Sequence, residues 1–528
     1  MLSDTENPPV VKASAPPGKA PLLQRWLGRI ERLGNALPHP VALFALLALA
    51  VVVLSDVAVR AGLAVPHPTT GEIVRPVSLL TIEGLHRMIT ELVRNFTGFA
   101  PLGVVLVALL GIGVAEHSGF IRTMLRLIVL AAPRRLLTLL VVFAGILSHA
   151  ASDIGYVVVI PLAGMLFLAA GRHPLAGIAA AFAGVSGGFS ANILIGPTDA
   201  LLAGITQEAA RLVDAGYVVT PAANYYFMAA SAVLLTILGT VLTDRLVAPR
   251  LGSYHGQAQP EAVEPLTRDE GRGLVSASLA LAVFAGVILA GILPSGGFLR
   301  NVRTGGVLDS PLLMGVIAFI FVGGLLAGLA YGAGARTFRS TSDVVAAMTK
   351  SMETMGSYLV LAFFAAQFVA YFAWTNLGLI VAVEGAATLT SLGLEDQKVL
   401  LFLGFVTLAV LLDLVIGSAS AKWVLMAPVF VPMLMLLGYS PELTQAAYRI
   451  GDSVANIITP LMSYFVIIVT FVQKYEPKAG IGTVIALMLP YTVAFYLGWA
   501  GLLVLWMLLG WPMGPGAPLF VDAPGHVR

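Results

Sequence analysis

Residues 136–170 and 399–437 are apolar from end to end, except that each is interrupted midway by a polar run. In the first the interruption is Ser148 to Asp153; in the second it is Gly417 to Trp423. A helix needs about 20 residues to cross a hydrocarbon layer of about 30 Å. Each stretch is too long for one crossing and too short for two. The economical fold is a re-entrant helical hairpin that enters and leaves on one side, with its polar tip near the midplane. Charged groups persist at that depth only when they face protein or water, since each costs at least ~2.5–3.5 kcal/mol in lipid.

The rest of the chain supports a membrane setting. Of 528 residues, 58% are hydrophobic and only 11% are charged, against roughly 25% charged in soluble domains. The net charge of +2 names no acidic or basic partner and shows no nucleic-acid face. Without cysteine there is no disulfide, thiolate metal site or cysteine nucleophile. No cofactor motif is present, and no metal is assigned.

Read in order, residues 1–37 are expected to form a cytoplasmic tail ending in a surface helix. A first repeat occupies 38–248: a span at 40–62, an amphipathic helix at 78–97, a span at 98–118, the hairpin 136–170, a discontinuous helix at 175–210 and a span at 221–247. A cytoplasmic loop and an odd helix fill 249–310, the helix being a span at 273–293. A second repeat occupies 311–512: spans at 311–333 and 352–382, the hairpin 399–437, a discontinuous helix at 442–472 and a span at 482–510. A tail covers 513–528. The fold class is thus an all-α polytopic membrane protein with nine transmembrane helices and two re-entrant hairpins. With the amino terminus inside, the inside segments hold the larger share of Lys and Arg.

The halves resemble each other in order as well as composition. Ser152, Pro161, Pro174, Ala191-Asn192-Ile193 and Pro197 parallel Ser420, Pro432, Pro441, Ala455-Asn456-Ile457 and Pro460. In this layout the two hairpins open to opposite sides. Inverted repeats with broken helices in matching positions point to a central transport site.

Several residues at these breaks can carry chemistry, each beside a structural alternative. Arg449 and Asp452, three apart on a helix, can pair with each other; they either take a substrate carboxylate and a proton or pin helices together. Asp199 is a candidate proton carrier or the cap of a helix resuming at Ala200. Asn192 and Asn456 line a site or satisfy unwound backbone. Ser152, Asp153, Ser418 and Ser420 sit at hairpin tips, where they face a ligand or cap locally. Trp423 offers a ring for stacking or marks the headgroup level. Lys422 adds charge at that tip or snorkels to water. His149 is a relay or a structural histidine, and Asp413 is open to either use. An intramembrane serine protease needs a base beside its serine, and the duplicated layout gives such an enzyme nothing. A channel suits two closed hairpins less well than alternating access does.

The run Ser190 to Thr206, the run Gly417 to Trp423 and the run Tyr448 to Ser453 resemble the p-aminobenzoyl-glutamate transporter (AbgT) family, over roughly residues 25–512. The resemblance implies a bacterial inner-membrane homodimer with a basin open to the cytoplasm. It implies transport of p-aminobenzoyl-glutamate, or efflux of p-aminobenzoate and sulfonamide antimetabolites, driven by an ion gradient. It carries site roles onto Asp199, Ser420, Trp423, Pro441, Arg449, Asp452 and Pro460. Asp413 stands where some members have Asn. The expected substrate-binding set is therefore Asn192, Asp199, Ser420, Trp423, Pro441, Arg449, Asp452, Asn456 and Pro460. Arg449 is expected to hold a carboxylate and Trp423 a ring. Asp199 or Asp452 is expected to couple to H+, with Na+ as the alternative. A sodium-coupled dicarboxylate transporter is the second choice of function.

Overall fold

A computed structural model describes residues 39–66, 73–151, 154–259, 265–308, 310–462 and 464–521. The expected tail and surface helix at 1–37, the tip residues Ser152 and Asp153, and the end of the tail at 522–528 lie outside the described residues. The fold is all-helical apart from a two-stranded ribbon, Val65–Pro66 with Ile73–Val74. Among the described residues eight helices are long and apolar enough to cross a membrane. Seven of them fall on the segments read as continuous spans, and the eighth, Ala419–Leu436, is one limb of the second hairpin segment.

Both interrupted segments are broken where the polar residues lie. In the first, helix Leu137–Leu147 runs into a tight turn at Ser148–Ala151, and helix resumes through Gly155–Val159 into Ile160–Ala169. In the second, Lys398–Asp413 and Ala419–Leu436 are joined by residues 414–418, which are not helical. The segments read as discontinuous helices are each two pieces. Pro174–Phe182 continues through a wide turn at Ala183–Gly187, opens at 188–196 and resumes as Pro197–Ala210. Pro441–Asn456 opens at 457–462 and helix resumes as Phe465–Gln473. Prolines start three of these pieces, Pro174, Pro197 and Pro441, where a missing N–H costs nothing.

Three helices were not foreseen, Phe120–Leu130, Thr341–Glu353 and Leu377–Ser391, and one span is shorter than expected. Phe120–Leu130 follows the second span directly after Gly119, whose φ of 94° lets the chain turn. The expected span 352–382 is two helices. Gly356–Trp374 ends, Asn376 takes a left-handed φ of 58°, and Leu377–Ser391 leaves in a new direction against Ala419–Leu436. Asn tolerates that conformation better than most residues, and uninterrupted hydropathy hid the corner. With these additions the same order of elements runs from Pro40 to Leu242 and again from Val316 to Leu509.

Packing crosses between the two runs. Ala100–His117 packs against Val316–Gly334, and Pro40–Arg60 against Gly356–Trp374. The first crossing is closed by glycine. A Cβ on Gly324 would meet the backbone of Gly111 at 2.7 Å, and one on Gly111 would meet the Phe321 carbonyl oxygen at 2.1 Å. Small residues let helices approach where no hydrophobic drive separates protein from lipid. The second crossing uses rings, with Phe44 and Phe368 centroids 5.9 Å apart.

Gly324→Leu is therefore expected to lower the stability of the purified protein in detergent by about 1–3 kcal/mol or more. Gly103→Leu, with open space at its Cβ, should not lower it. Equal melting temperatures for the two variants would refute the glycine contact.

Candidate functional site

Helix Pro441–Asn456 is the axis of the site. It carries Gln445, Tyr448, Arg449, Asp452, Ser453 and Asn456, and all of its residues are buried. A polar helix wholly inside a membrane protein must find its partners within the protein. It does so in three directions.

Arg449 reaches the other half of the chain. One guanidinium nitrogen lies 2.7 Å from Asp199 Oδ1 and donates to the Ser190 carbonyl oxygen at 2.8 Å. Asp199 uses its second oxygen to accept from Asn192 Nδ2 at 2.5 Å and from the Gly196 N–H at 2.8 Å. It thereby fastens both edges of the first break while pairing with the second half. Ser190 N–H also donates to Ser453 Oγ at 3.1 Å. Arg449 Nε, Ser190 Oγ and Ser186 Oγ are buried without a hydrogen-bond partner in the protein. Unsatisfied donors are rare in folded interiors, and two of these belong to Arg449 and Ser190, which are bonded to each other.

Asp452 turns instead to the second tip. Its carboxylate lies 2.6 Å from Lys422 Nζ and 3.2 Å from the Tyr448 hydroxyl. Lys422 also contacts Asp413, whose other oxygen accepts from Thr459 in the second break at 3.3 Å. The expected Arg449–Asp452 pair is thus corrected. Spacing of three permitted it, but each charge finds a better-placed opposite charge on another element. Lys422 does not snorkel either, because it is fully buried. The helix that Asp199 caps begins at Pro197, not Ala200.

Trp423 is covered. Its ring stacks on Tyr448 with centroids 4.4 Å apart, and its indole N–H donates to Thr206 Oγ1 at 2.9 Å. The chain of hydrogen bonds continues from Thr206 to Gln445 (2.6 Å), from Gln445 to Asn224 (2.8 Å), and from Asn224 to the Glu442 carbonyl (2.8 Å). Tyr217 closes it on the Glu442 carboxylate at 2.9 Å. Burial, and then the neighbouring carboxylate, push the Tyr217 phenol well above its ordinary value, so it remains a donor. Sequence reasoning passed over Gln445, Tyr448 and Glu442. The signal was the polar stripe at helical spacing through Gln445, Tyr448, Asp452 and Asn456.

Beside this cluster lies a cavity of about 720 Å³, lined among others by Phe189, Thr198, Ser418, Ser420, Leu461 and Tyr464. Ser420 faces it, and Thr198 brings it to the residue before Asp199. Ser418 caps the second limb, accepting from the Ala421 N–H at 3.4 Å. Asn456 ends its helix and Pro460 lies in the break that follows. Pro441 sits at the opposite end of the same helix as its first residue. His149 packs edge-on against Phe189, with centroids 4.9 Å apart. A second cavity of about 550 Å³ lies at the other end of Pro197–Ala210, lined by Arg87, Arg94, Arg211 and Trp374. Among the described residues no three His, Asp or Glu side chains gather to hold a metal ion.

Long apolar helices surrounding a buried cluster of charges, with two interrupted elements meeting at it, make the architecture of a multi-pass membrane transporter. The chain belongs to the AbgT putative transporter family, whose family model matches residues 25–521. It is 38% identical over 489 residues to the p-aminobenzoyl-glutamate transport protein of Escherichia coli strain K12, covering 93% of this chain and 96% of that one. The crystal structure of the Alcanivorax borkumensis YdaH transporter matches at 48% identity with a TM-score of 0.87, over 90% of this chain and all of the other. Neisseria gonorrhoeae MtrF, described as illuminating a class of antimetabolite efflux pumps, matches at 49% identity with a TM-score of 0.89, over 94% of this chain and all of that one. The chain is a transporter and not an enzyme.

Removing one partner of a buried pair leaves the other charge uncompensated, so Asp199→Ala should cost about 3–5 kcal/mol. Arg449→Met combined with Asp199→Ala should recover part of that loss. Thermal unfolding of the single and double variants checks the coupling, and strictly additive losses would show that the two do not pair. Trp423→Phe keeps the stack and loses the bond to Thr206, for an expected cost of about 1 kcal/mol.

Proposed function

We propose that the protein is a secondary active transporter of aryl carboxylates of the p-aminobenzoyl-glutamate and p-aminobenzoate type, with sulfonamide antimetabolites as further cargo, driven by a proton gradient. The observation that carries this reading is the Arg449–Asp199 pair joining helix Pro441–Asn456 to the first break, beside buried donors without partners. A guanidinium takes a carboxylate in a planar fork. In the present conformation Asp199 holds one nitrogen of that fork. A proton on Asp199 would release Arg449 to a substrate carboxylate, and loss of that proton would expel the substrate. Proton and anion would thereby bind and leave together at one place. p-Aminobenzoyl-glutamate and antimetabolites stand in the names of relatives, p-aminobenzoate and sulfonamides come from the family resemblance, and the aromatic and polar lining of the cavity, Phe189 and Tyr464 beside Ser420 and Thr198, suits them. Trp423, already stacked and hydrogen-bonded, would serve as the wall that fixes the second tip and would meet the ring only if Tyr448 moved aside.

The membrane layout belongs to the same proposal. Nine crossings result if each broken helix spans once and both hairpin segments re-enter. The halves 38–248 and 311–512 are then inverted, the amino terminus is cytoplasmic, and the membrane is the bacterial inner membrane. A homodimer is the proposed assembly, to be checked by the mass of the detergent-solubilised protein.

Flux of labelled p-aminobenzoate and p-aminobenzoyl-glutamate into proteoliposomes, with pH and Na+ gradients imposed separately, tests the function. Transport of neither acid under any gradient would defeat it. Arg449→Lys keeps the charge but loses the fork. It should weaken binding of carboxylate ligands by about tenfold, or about 1.4 kcal/mol, and neutral sulfonamides less. Asp199→Asn should make substrate binding insensitive to pH. Equal losses for charged and neutral ligands would leave Arg449 a structural role only.

A further inference from the structure

Lys422 has no task in the reading above, yet it is wholly buried and touches carboxylates on two elements. Asp413 ends the limb Lys398–Asp413, and Asp452 lies within Pro441–Asn456. The groups around this triad can be named element by element. Ala419–Leu436 brings Lys422, Pro441–Asn456 brings Asp452 and Tyr448, and the second break brings the Thr459 hydroxyl. Pro197–Ala210 brings Asp199, held by Arg449, and Glu208, which pairs with Arg211 at 3.4 Å. Leu377–Ser391 brings Glu384, which is exposed. Helix Ile481–Leu509 packs on both carboxylate-bearing helices and has no charged residue. Its tyrosines bond elsewhere, Tyr491 to Thr243 and Tyr496 to Thr407.

One ammonium facing two carboxylates leaves a negative charge without a cation. In a buried site such a charge costs several kcal/mol. It is neutralised either by a proton on a carboxylate or by an inorganic cation. The place that a small cation would take, between the two carboxylates, is filled by the ammonium itself, and a second cation there would meet it at contact distance. We propose that Lys422 is a tethered cation holding the seat between Asp413 and Asp452, so that the ion exchanged at this site is a proton and not sodium. This rests on the proton-coupled transport inferred above and adds to Asp199 a second proton site, on the carboxylates that Lys422 joins. The proton binds a carboxylate oxygen of the pair and leaves from it, while Lys422 keeps its own. Lys422 lies in the first turn after Ser418 and Ser420, which line the cavity. A change of charge on the pair therefore pulls directly on the tip that bounds the substrate.

The test uses the purified full chain as wild type, Lys422→Gln and Asp413→Asn. Thermal unfolding is compared in sodium chloride and choline chloride of equal ionic strength, since a ligand bound only by the folded state raises Tm. The wild-type Tm should be the same in both salts, whereas Lys422→Gln, with its seat vacated beside Thr459, should melt higher in sodium. In proteoliposomes, wild-type flux of p-aminobenzoate should follow a pH gradient and ignore a sodium gradient, and Lys422→Gln should respond to sodium. Asp413→Asn leaves one neutral Lys422–Asp452 pair. It should fold, retain equilibrium binding of p-aminobenzoate and lose the response of flux to the pH gradient. Sodium raising the wild-type Tm or driving wild-type flux would overturn the proposal. So would indifference of Lys422→Gln to sodium in both readouts, or an unchanged pH response in Asp413→Asn. If Lys422→Gln cannot be purified folded, Asp413→Asn decides. The melting comparison needs no organic substrate, so failure of every aryl acid to be transported would count against the function and leave the ion test standing.

Discussion

The structure depends on the cost of holding charge away from water. Arg449, Lys422, Asp199, Asp413 and Asp452 are all buried, and none is tolerable there alone. Each is satisfied by a group on another element: Arg449 by Asp199 across the two halves, Lys422 by Asp413 and Asp452 across the second tip and the polar helix. The pairs therefore tie together elements that could otherwise slide. Buried pairs are weak contributors to net stability compared with apolar packing of the same volume.

Broken helices meet at these charges. Where the helices stop at Gly187 and Asn456, carbonyl and N–H groups are freed and need partners. Asp199 supplies one for Gly196, and Ser453 supplies one for Ser190. The same side chains that mend the backbone also hold the cluster together. A shift in charge at Asp199 or Asp452 is thus felt immediately by backbone that is already unwound. The surrounding crossings, such as Gly111 on Gly324, are rigid by contrast, because backbone meets backbone with no side chain between. A stiff frame around a polar, interrupted centre suits alternating access.

Much of the frame was legible in the sequence because hydropathy and length constrain a helix in lipid strongly. Pro40–Arg60, Arg268–Ile292 and Ile481–Leu509 fall close to their expected bounds. The corner at Asn376 was not legible, since Leu377–Ser391 begins with an apolar run like the span before it and a single left-handed residue leaves no mark on hydropathy. Phe120–Leu130, which carries Arg122 and Arg126, lies between the expected span 98–118 and the segment 136–170, where no element was assigned. In the site, the residue set was largely visible but its wiring was not. Arg449 and Asp452 are neighbours on one helix, and only the positions of Asp199 and Lys422 send them apart. Trp423 looked like an open stacking surface until Tyr448, 25 positions further along the chain, covered it.

By itself the sequence determined that this chain lies in a membrane, where its helices break, and which polar residues must be buried. Those follow from local quantities: the free energy of transferring a side chain to lipid and the inability of proline to continue a helix. The tertiary structure alone decided which charge meets which, that Lys422 stands between two carboxylates, and that Ser420 rather than Trp423 faces the cavity. Such choices depend on the meeting of elements far apart in the chain, and an ion pair is set by distance in space rather than by separation along the backbone.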